Sequence, residues 1–392
     1  MTTSLELNVD TDKVVRNFLE WAKMDAPSTK EAFIAEQIEK KLKSLGFTIQ
    51  YDEAHHHFDG EVGNMIAYWE GTIPDLPPLF LSTHMDTVLP TKGLKPIIRD
   101  GVIYSDGTTI LGADDRAALT AYIEAIEYIQ QNNIPTGPIE LILTVSEQQG
   151  LRGARYLDYS KVQSKYGYIF DSDGDVGQII KKGPFSSKFY IEVIGKASHI
   201  GLNPKEGINA FIVAADVLKA VPQGEIKENV LANIGIINGG DLSSIIPGTV
   251  NMIGEVRAFT QEDLDNTLDT IYLAASKAAQ SYTASVNFTV EKKYIGFEIE
   301  KNHLLVENAI ESFKDENISY YVCDTLGGAD TNTLNENGLV CITLGNGFKN
   351  LHTYQEHISV ENLVNAVKTA VQLIIKWREK HIEKAENTDA VS

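Results

Sequence analysis

Two stretches near the start, "VVRNFLEWAK" and "EAFIAEQIEKKLKSLG", place apolar residues every three to four positions, which predicts two amphipathic helices. "FTIQYD" then alternates as a strand, and the short apolar run "LFLST" ends at His84. Behind Asp115, a residue suited to cap a helix, Ala118, Leu119, Tyr122, Ala125, Ile126 and Ile129 recur at helical spacing. "NNIPTGP" breaks that helix and leads into the apolar run "IELILTV"; "YGYIF" is another such run and stops at Asp171. Continuous apolar strands alternating with helices predict an α/β domain whose mostly parallel sheet is sandwiched by helices.

From about Gly183 the pattern changes. "KFYIEVIG", "NAFIVAADVLKAV", "ANIGII", "TVNMIGEVRAF", "EDLDNTLDTIYLAASKAAQSY" and "SVNFTVEKKY" read as strand, helix, strand, strand, helix, strand. That order is the ferredoxin-like unit, so an α+β lid is expected as an insertion over 184–297. The helix "LLVENAIESFK", the strand "LVCITLG" and the helix "VENLVNAVKTAVQLIIKWREK" then resume the first domain, which comprises 1–183 and 298–392.

Composition narrows the partners. The chain has 392 residues, 43% hydrophobic and 22% charged, which suits a soluble two-domain protein. Its formal charge of −20 argues against nucleic acid or an anionic membrane and favours a cation. "MTTSLELNVDTDKVV" lacks the basic-then-apolar order of a signal peptide and no run is long enough to span a membrane, so a cytoplasmic location is expected. Cys323 and Cys341 are too few for a disulfide framework and read as inert thiols.

In open α/β sheets ligands bind beyond the carboxyl ends of the strands. Here the strand ends carry His84-Met85-Asp86, Ser146-Glu147-Gln148 and Asp171, and His352 follows the last strand, with His357 nearby. His84 and Asp86, two apart in extended chain, share a face, so the carboxylate can orient the imidazole. If Asp115 caps the helix, Asp114 is free to bridge a pair of cations. Asp173 and Asp175 suit turn chemistry, and His55, His56 and His57 read as a solvated loop with nothing to fix their geometry. Histidine with carboxylate and no usable thiolate suits Zn²⁺, with Mn²⁺ or Co²⁺ as alternatives.

The stretches "STHMDTV", "LGADDRAALTAYIEAIE", "TVSEQQGLRGARYLD", "FDSDG", "GKASHIGLNPKEGINA", "GGADTNTLNENG" and "NLHTYQEHI" together resemble the di-metal exopeptidases, the family that includes aminoacylase, carboxypeptidase G and peptidase T. The peptidase T branch is nearest. The resemblance implies an aminopeptidase for short peptides with two divalent metal ions. By it, His84, Asp114 and Asp171 hold one ion, while Asp114, His352 and Gln148 hold the other. Asp86 orients His84, and Glu147 is the general base. His199, Arg257, Asp330 and Asn332 are the implied substrate-binding residues. His199 resembles a residue that often acts across a dimer interface, which makes a homodimer an expectation and the inserted domain its site.

The family pattern Glu-Glu-x-Gly stands here as Glu147-Gln148-Gln149-Gly150. Gln148 keeps a carbonyl oxygen but removes a negative charge, so weaker binding of the second ion is expected. An N-acyl amino acid deacylase or dipeptidase of the same fold stays open beside the tripeptidase reading, as does a peptide- or metal-binding protein with an impaired second site.

Overall fold

A computed structural model describes residues 7–389, so the leader reading above falls partly outside the described residues. The chain forms two compact units: one comprises the residues up to Lys181, Ile299–Asp324 and those from Ala329 onward, the other Lys182–Glu298 with Thr325–Gly328. The inclusion of 325–328 in the second unit has no sign in the local pattern.

The first unit is built on strands β1 (Thr48–Tyr51), β2 (Met65–Trp69), β3 (Leu79–His84), β4 (Ile139–Thr144), β5 (Tyr166–Phe170), β6 (Gln178–Gly183) and β7 (Val340–Leu344). Their lateral order is β1-β2-β4-β3-β5-β7-β6. The central strands β4, β3, β5 and β7 are parallel to one another. Towards the edges, β1 with β2, β2 with β4 and β7 with β6 pair antiparallel.

Every residue of β3 and β4 is buried, the expected state of strands covered on both faces. Alternate residues face different layers. Leu79 and Leu81 of β3 join Leu141 of β4 in one core with α1 (Thr11–Ala22), α2 (Ala32–Ser44), α3 (Ala113–Gln131), α4 (Leu304–Asp315) and a C-terminal helix (Val360–Asp389). Phe80 and Ile142 point the other way and pack with Ile169, Ala154, Leu157, Leu334 and Cys341. Fully burying a side chain such as Phe80 or Leu141 contributes about 1.5–3 kcal/mol, so the two layers together hold the sheet from both sides.

The regular turns of α3 begin after Asp115, since Asp114 and Asp115 have non-helical backbone angles and the peptide between them is cis. Asp115 does cap: its Oδ1 accepts from the Ala118 amide at 3.4 Å.

The second unit has an antiparallel sheet with strands in the order Gly224–Lys227, Val230–Gly239, Thr249–Ala258, Phe185–Ile194, Ser285–Tyr294. Helices Ala210–Ala220 and Gln261–Gln280 supply Val213, Val217, Leu264 and Ile271 to a core shared with Phe189, Ile191 and Met252. The strand Gly224–Lys227 is additional to the expected strand order. It is a polar edge strand, exposed at three of its four residues, so burial leaves no alternation to read. Among the described residues no helix is long and apolar enough to cross a membrane.

Candidate active site

Because β4, β3, β5 and β7 run the same way, their carboxyl ends share one edge; His84 is level with Thr144, and Leu344 with Phe170. Beyond that edge His84, Asp114 and Asp171 each offer a ligand atom, all within 4.8 Å of one another. Asp114 is the hub. Its Oδ1 lies 3.0 Å from His84 Nε2, and its Oδ2 lies 3.1 Å from His352 Nε2 and 2.8 Å from Gln148 Nε2. Rotating the Gln148 amide by half a turn presents its carbonyl oxygen in the same place.

Asp86 ties the strand ends together. His84 Nδ1 is 2.9 Å from the Asp86 carbonyl and 3.3 Å from its carboxylate. The same carboxylate accepts from Ser28 Oγ at 2.5 Å and from the amides of Glu147 and Gln148 at 3.0 and 3.2 Å. It therefore orients the imidazole and also fixes the loop that carries Glu147. That loop turns at once after β4: Ser146 has φ 49°, and the Glu147 carbonyl accepts from the Gly150 and Leu151 amides. Gly153 closes it, because a Cβ there would lie 2.2 Å from the Val145 carbonyl oxygen.

The charges interact strongly. Burial disfavours ionised Asp114, yet hydrogen bonds from His352 and His84 prevail and hold its carboxyl well below the usual range. Burial likewise opposes a charged His84, but Asp114 and Asp86 raise its pKa well above that of a free imidazole. Glu147 is pushed well up by burial, reinforced by the negative charges of Asp171, Asp330 and Asp114. Asp171 rises to about 7 by burial and the Asp114 charge, and Asp330 to about 6 by burial. Carboxylates that hold their protons this tightly are short of positive charge. The cations among them, Arg116, His84 and His352, are outnumbered by Asp86, Asp114, Asp115, Glu147, Asp171 and Asp330. A histidine and carboxylate donor set with surplus negative charge fits divalent cations.

Asp330 begins the helix Asp330–Glu336; its Oδ2 accepts from Thr144 Oγ1 at 2.5 Å while its Oδ1 is buried with no hydrogen-bond partner among the described residues. Asn332 accepts from the Ala329 amide at 3.3 Å, so its oxygen serves the start of its own helix. Two expected residues belong to the second unit. Arg257 is half-buried on the strand Thr249–Ala258, bonded to Glu255 at 2.7 Å and to the Leu326 carbonyl at 2.9 Å. His199 is exposed, in a two-residue strand paired with Ile245 and Ile246, and its Nδ1 accepts from the Gly201 amide at 3.0 Å. His357 is not part of the cluster around Asp114; it pairs with Tyr104 and stacks on that ring.

Sequence reasoning missed the residues behind the cluster. Glu31, fully buried, accepts from the amides of Thr29 and Ser146 at 2.9 Å each, fixing the residue before Glu147; burial and the Asp86 charge raise its pKa to about 7. Glu356 accepts from the amides of Gly112 and Asp114 at 2.7 and 3.0 Å. Arg116 donates to the Met85 carbonyl at 2.7 Å and is fully buried. The one available signal was Arg116, a cation inside the apolar stretch "ADDRAALTAYI". Glu31 and Glu356 look like ordinary surface residues in sequence.

Peptidase family M20/M25/M40 matches residues 80–376. A crystal structure of aminopeptidase PepT from Bacillus cereus ATCC 10987 superposes with a TM-score of 0.85 at 33% identity, covering 94% of this chain and 99% of that one. A tripeptidase from Staphylococcus aureus Mu50 superposes with a TM-score of 0.89 at 32% identity over the same shares. Peptidase T of Clostridium perfringens strain 13 is 26% identical over 413 residues, covering 94% of this chain and all of that protein.

Proposed function

Because this chain belongs to peptidase family M20/M25/M40, as a peptidase T-like member and a metallopeptidase, we propose that it removes the N-terminal residue from short peptides, tripeptides above all. The observation that carries this reading is the meeting of His84, Asp114 and Asp171 within 4.8 Å, with the buried carboxyl of Glu147 among the same charges.

In this proposal His84, Asp114 and Asp171 would hold one divalent cation and Asp114, His352 and Gln148 a second, with zinc the first candidate. Cations held there would lower the pKa of a water molecule and polarise the scissile carbonyl. The remaining work falls to the chain. Glu147 takes the proton from the attacking water and returns it to the leaving amine. A carboxyl whose burial raises its proton affinity suits both halves of that transfer. Asp86 holds His84 and the two amides after Ser146, so the base and the ligand move together if at all. Asp330, His199 and Arg257 would contact the substrate, as the family resemblance implies; Asn332 keeps its oxygen on the Ala329 amide at the start of its own helix.

Gln148 favours a second reading, in which the second cation is weakly held and the chain works with one ion or as a binding protein. The experiment is metal content per chain after dialysis against trace Zn²⁺ or Mn²⁺, with hydrolysis of tripeptides, dipeptides and N-acyl amino acids measured on the same sample. Two ions with release of the N-terminal residue support the proposal. Cleavage of acylated amino acids alone replaces it with a deacylase, and binding without products replaces it with a peptide-binding role.

A further inference from the structure

The three consecutive histidines between β1 and β2 are not the loose loop their sequence suggests. Ala54–His57 forms a 3₁₀ turn. Beneath it the buried Asp52 accepts from the amides of Ala54 and Asn64 at 3.0 and 2.8 Å, and Asn64 Nδ2 adds a bond at 2.7 Å. The Glu53 carbonyl takes the His56 amide, and the His55 carbonyl takes those of Phe58 and Gly60. The three rings divide between two partners.

His57 lies flat on Tyr156, with ring centroids 4.0 Å apart and planes within 2° of parallel. His55 and His56 stay beside each other, centroids 4.0 Å apart, and both turn Nε2 to one carboxylate oxygen. His56 Nε2 is 2.9 Å and His55 Nε2 3.9 Å from Glu53 Oε2. Glu53, His55 and His56 each offer a ligand atom within 4.8 Å of the other two.

We propose that Glu53, His55 and His56 form a binding site for a late first-row divalent metal ion such as Zn²⁺, Ni²⁺ or Cu²⁺, separate from the cluster around Asp114. Imidazole and carboxylate donors bind such ions at about 2.0–2.2 Å, which puts neighbouring donors roughly 3.3 Å apart in a tetrahedral shell. Adjustments of the side chains by up to about 1.5 Å reach that spacing. Two of the three can make them freely, since the Glu53 and His56 side chains are 75% and 69% exposed, while His55 at 22% is the anchored member. Two nitrogen donors select against Mg²⁺ and Ca²⁺, which prefer all-oxygen shells. The chain's formal charge of −20 favours cation uptake. His57 takes no part because its ring is committed to Tyr156.

The test compares the full chain with the double variant His55→Ala/His56→Ala and with His57→Ala, counting bound Zn²⁺ by equilibrium dialysis at micromolar free metal. The double variant is expected to bind one ion fewer than the parent while hydrolysing peptide equally well, and His57→Ala to bind as the parent does. Glu53→Gln should weaken the same ion at least tenfold. Equal stoichiometry in parent and double variant overturns the proposal, as does loss of the ion in His57→Ala. Failure of peptide hydrolysis in the parent would bear on the peptidase reading and leave this count untouched.

Discussion

Replacing Gln148 with glutamate asks whether position 148 faces a cation site. Gln148 Nε2 donates to Asp114 Oδ2 at 2.8 Å. A carboxylate in its place sets two negative charges at that distance, a repulsion of about 6 kcal/mol at an effective dielectric constant of 20. Protonating the new carboxylate at about pH 7.5 costs only about 4 kcal/mol. The cheaper route prevails, so Gln148→Glu without metal should be destabilised by about 4 kcal/mol, or roughly 5 °C in melting temperature for a chain of this length. The new group's pKa is raised on folding, so the loss should be absent below about pH 4 and grow as pH rises. With divalent cation the sign reverses: the extra charge becomes a ligand, and the variant should bind its second ion more tightly than the parent. The assay is thermal unfolding of both proteins with chelator and with saturating Zn²⁺. Equal melting temperatures in chelator, or equal metal-induced shifts, would refute the placement of residue 148 in a ligand pocket.

Glu147→Gln should keep the metal content and KM near the parent values while kcat falls about 10²–10⁴-fold, the usual range for a lost general base, in steady-state tripeptide hydrolysis. Glu31, with its pKa raised to about 7, contributes stability that is intact below about pH 4.5 and lost as pH rises towards 7. Glu31→Gln keeps an acceptor for Ser146 but cannot titrate, so its stability relative to the parent should improve by about 2–3 kcal/mol between about pH 5 and pH 8 in urea unfolding of chelated protein; parallel profiles would contradict this. Arg116→Leu removes the buried cation beside Asp86, Asp115 and Glu31 and should cost about 3 kcal/mol near neutral pH, less in acid, by the same assay. Chelation should abolish hydrolysis, and restored Zn²⁺ should recover it.

Much of this architecture is legible one segment at a time. A strand covered on both faces is mostly apolar, so β3, β4 and β5 stand out as short, largely apolar runs, and the polar residues that end each run mark the edge where ligands bind. His84 and Asp171 are visible for that reason, and the capping role of Asp115 follows from its place before the helix. The edge strand Gly224–Lys227 escapes the same reasoning because exposure removes the pattern. Glu31 and Glu356 escape it because a charged residue at the start of a helix or within a loop is ordinarily solvated, and only packing from elsewhere buries these two.

The sequence by itself determined the donor types, the period of each element and therefore which residues lie at strand ends. Only the tertiary structure decided which of them meet. Asp114 touches His84, Gln148 and His352 across separations of 30, 34 and 238 residues. Those contacts follow from the lateral order β4-β3-β5-β7, which differs from chain order. Hydrophobic periodicity reports only whether a residue faces the core; the neighbour it finds there is settled when separate strands pack into one sheet.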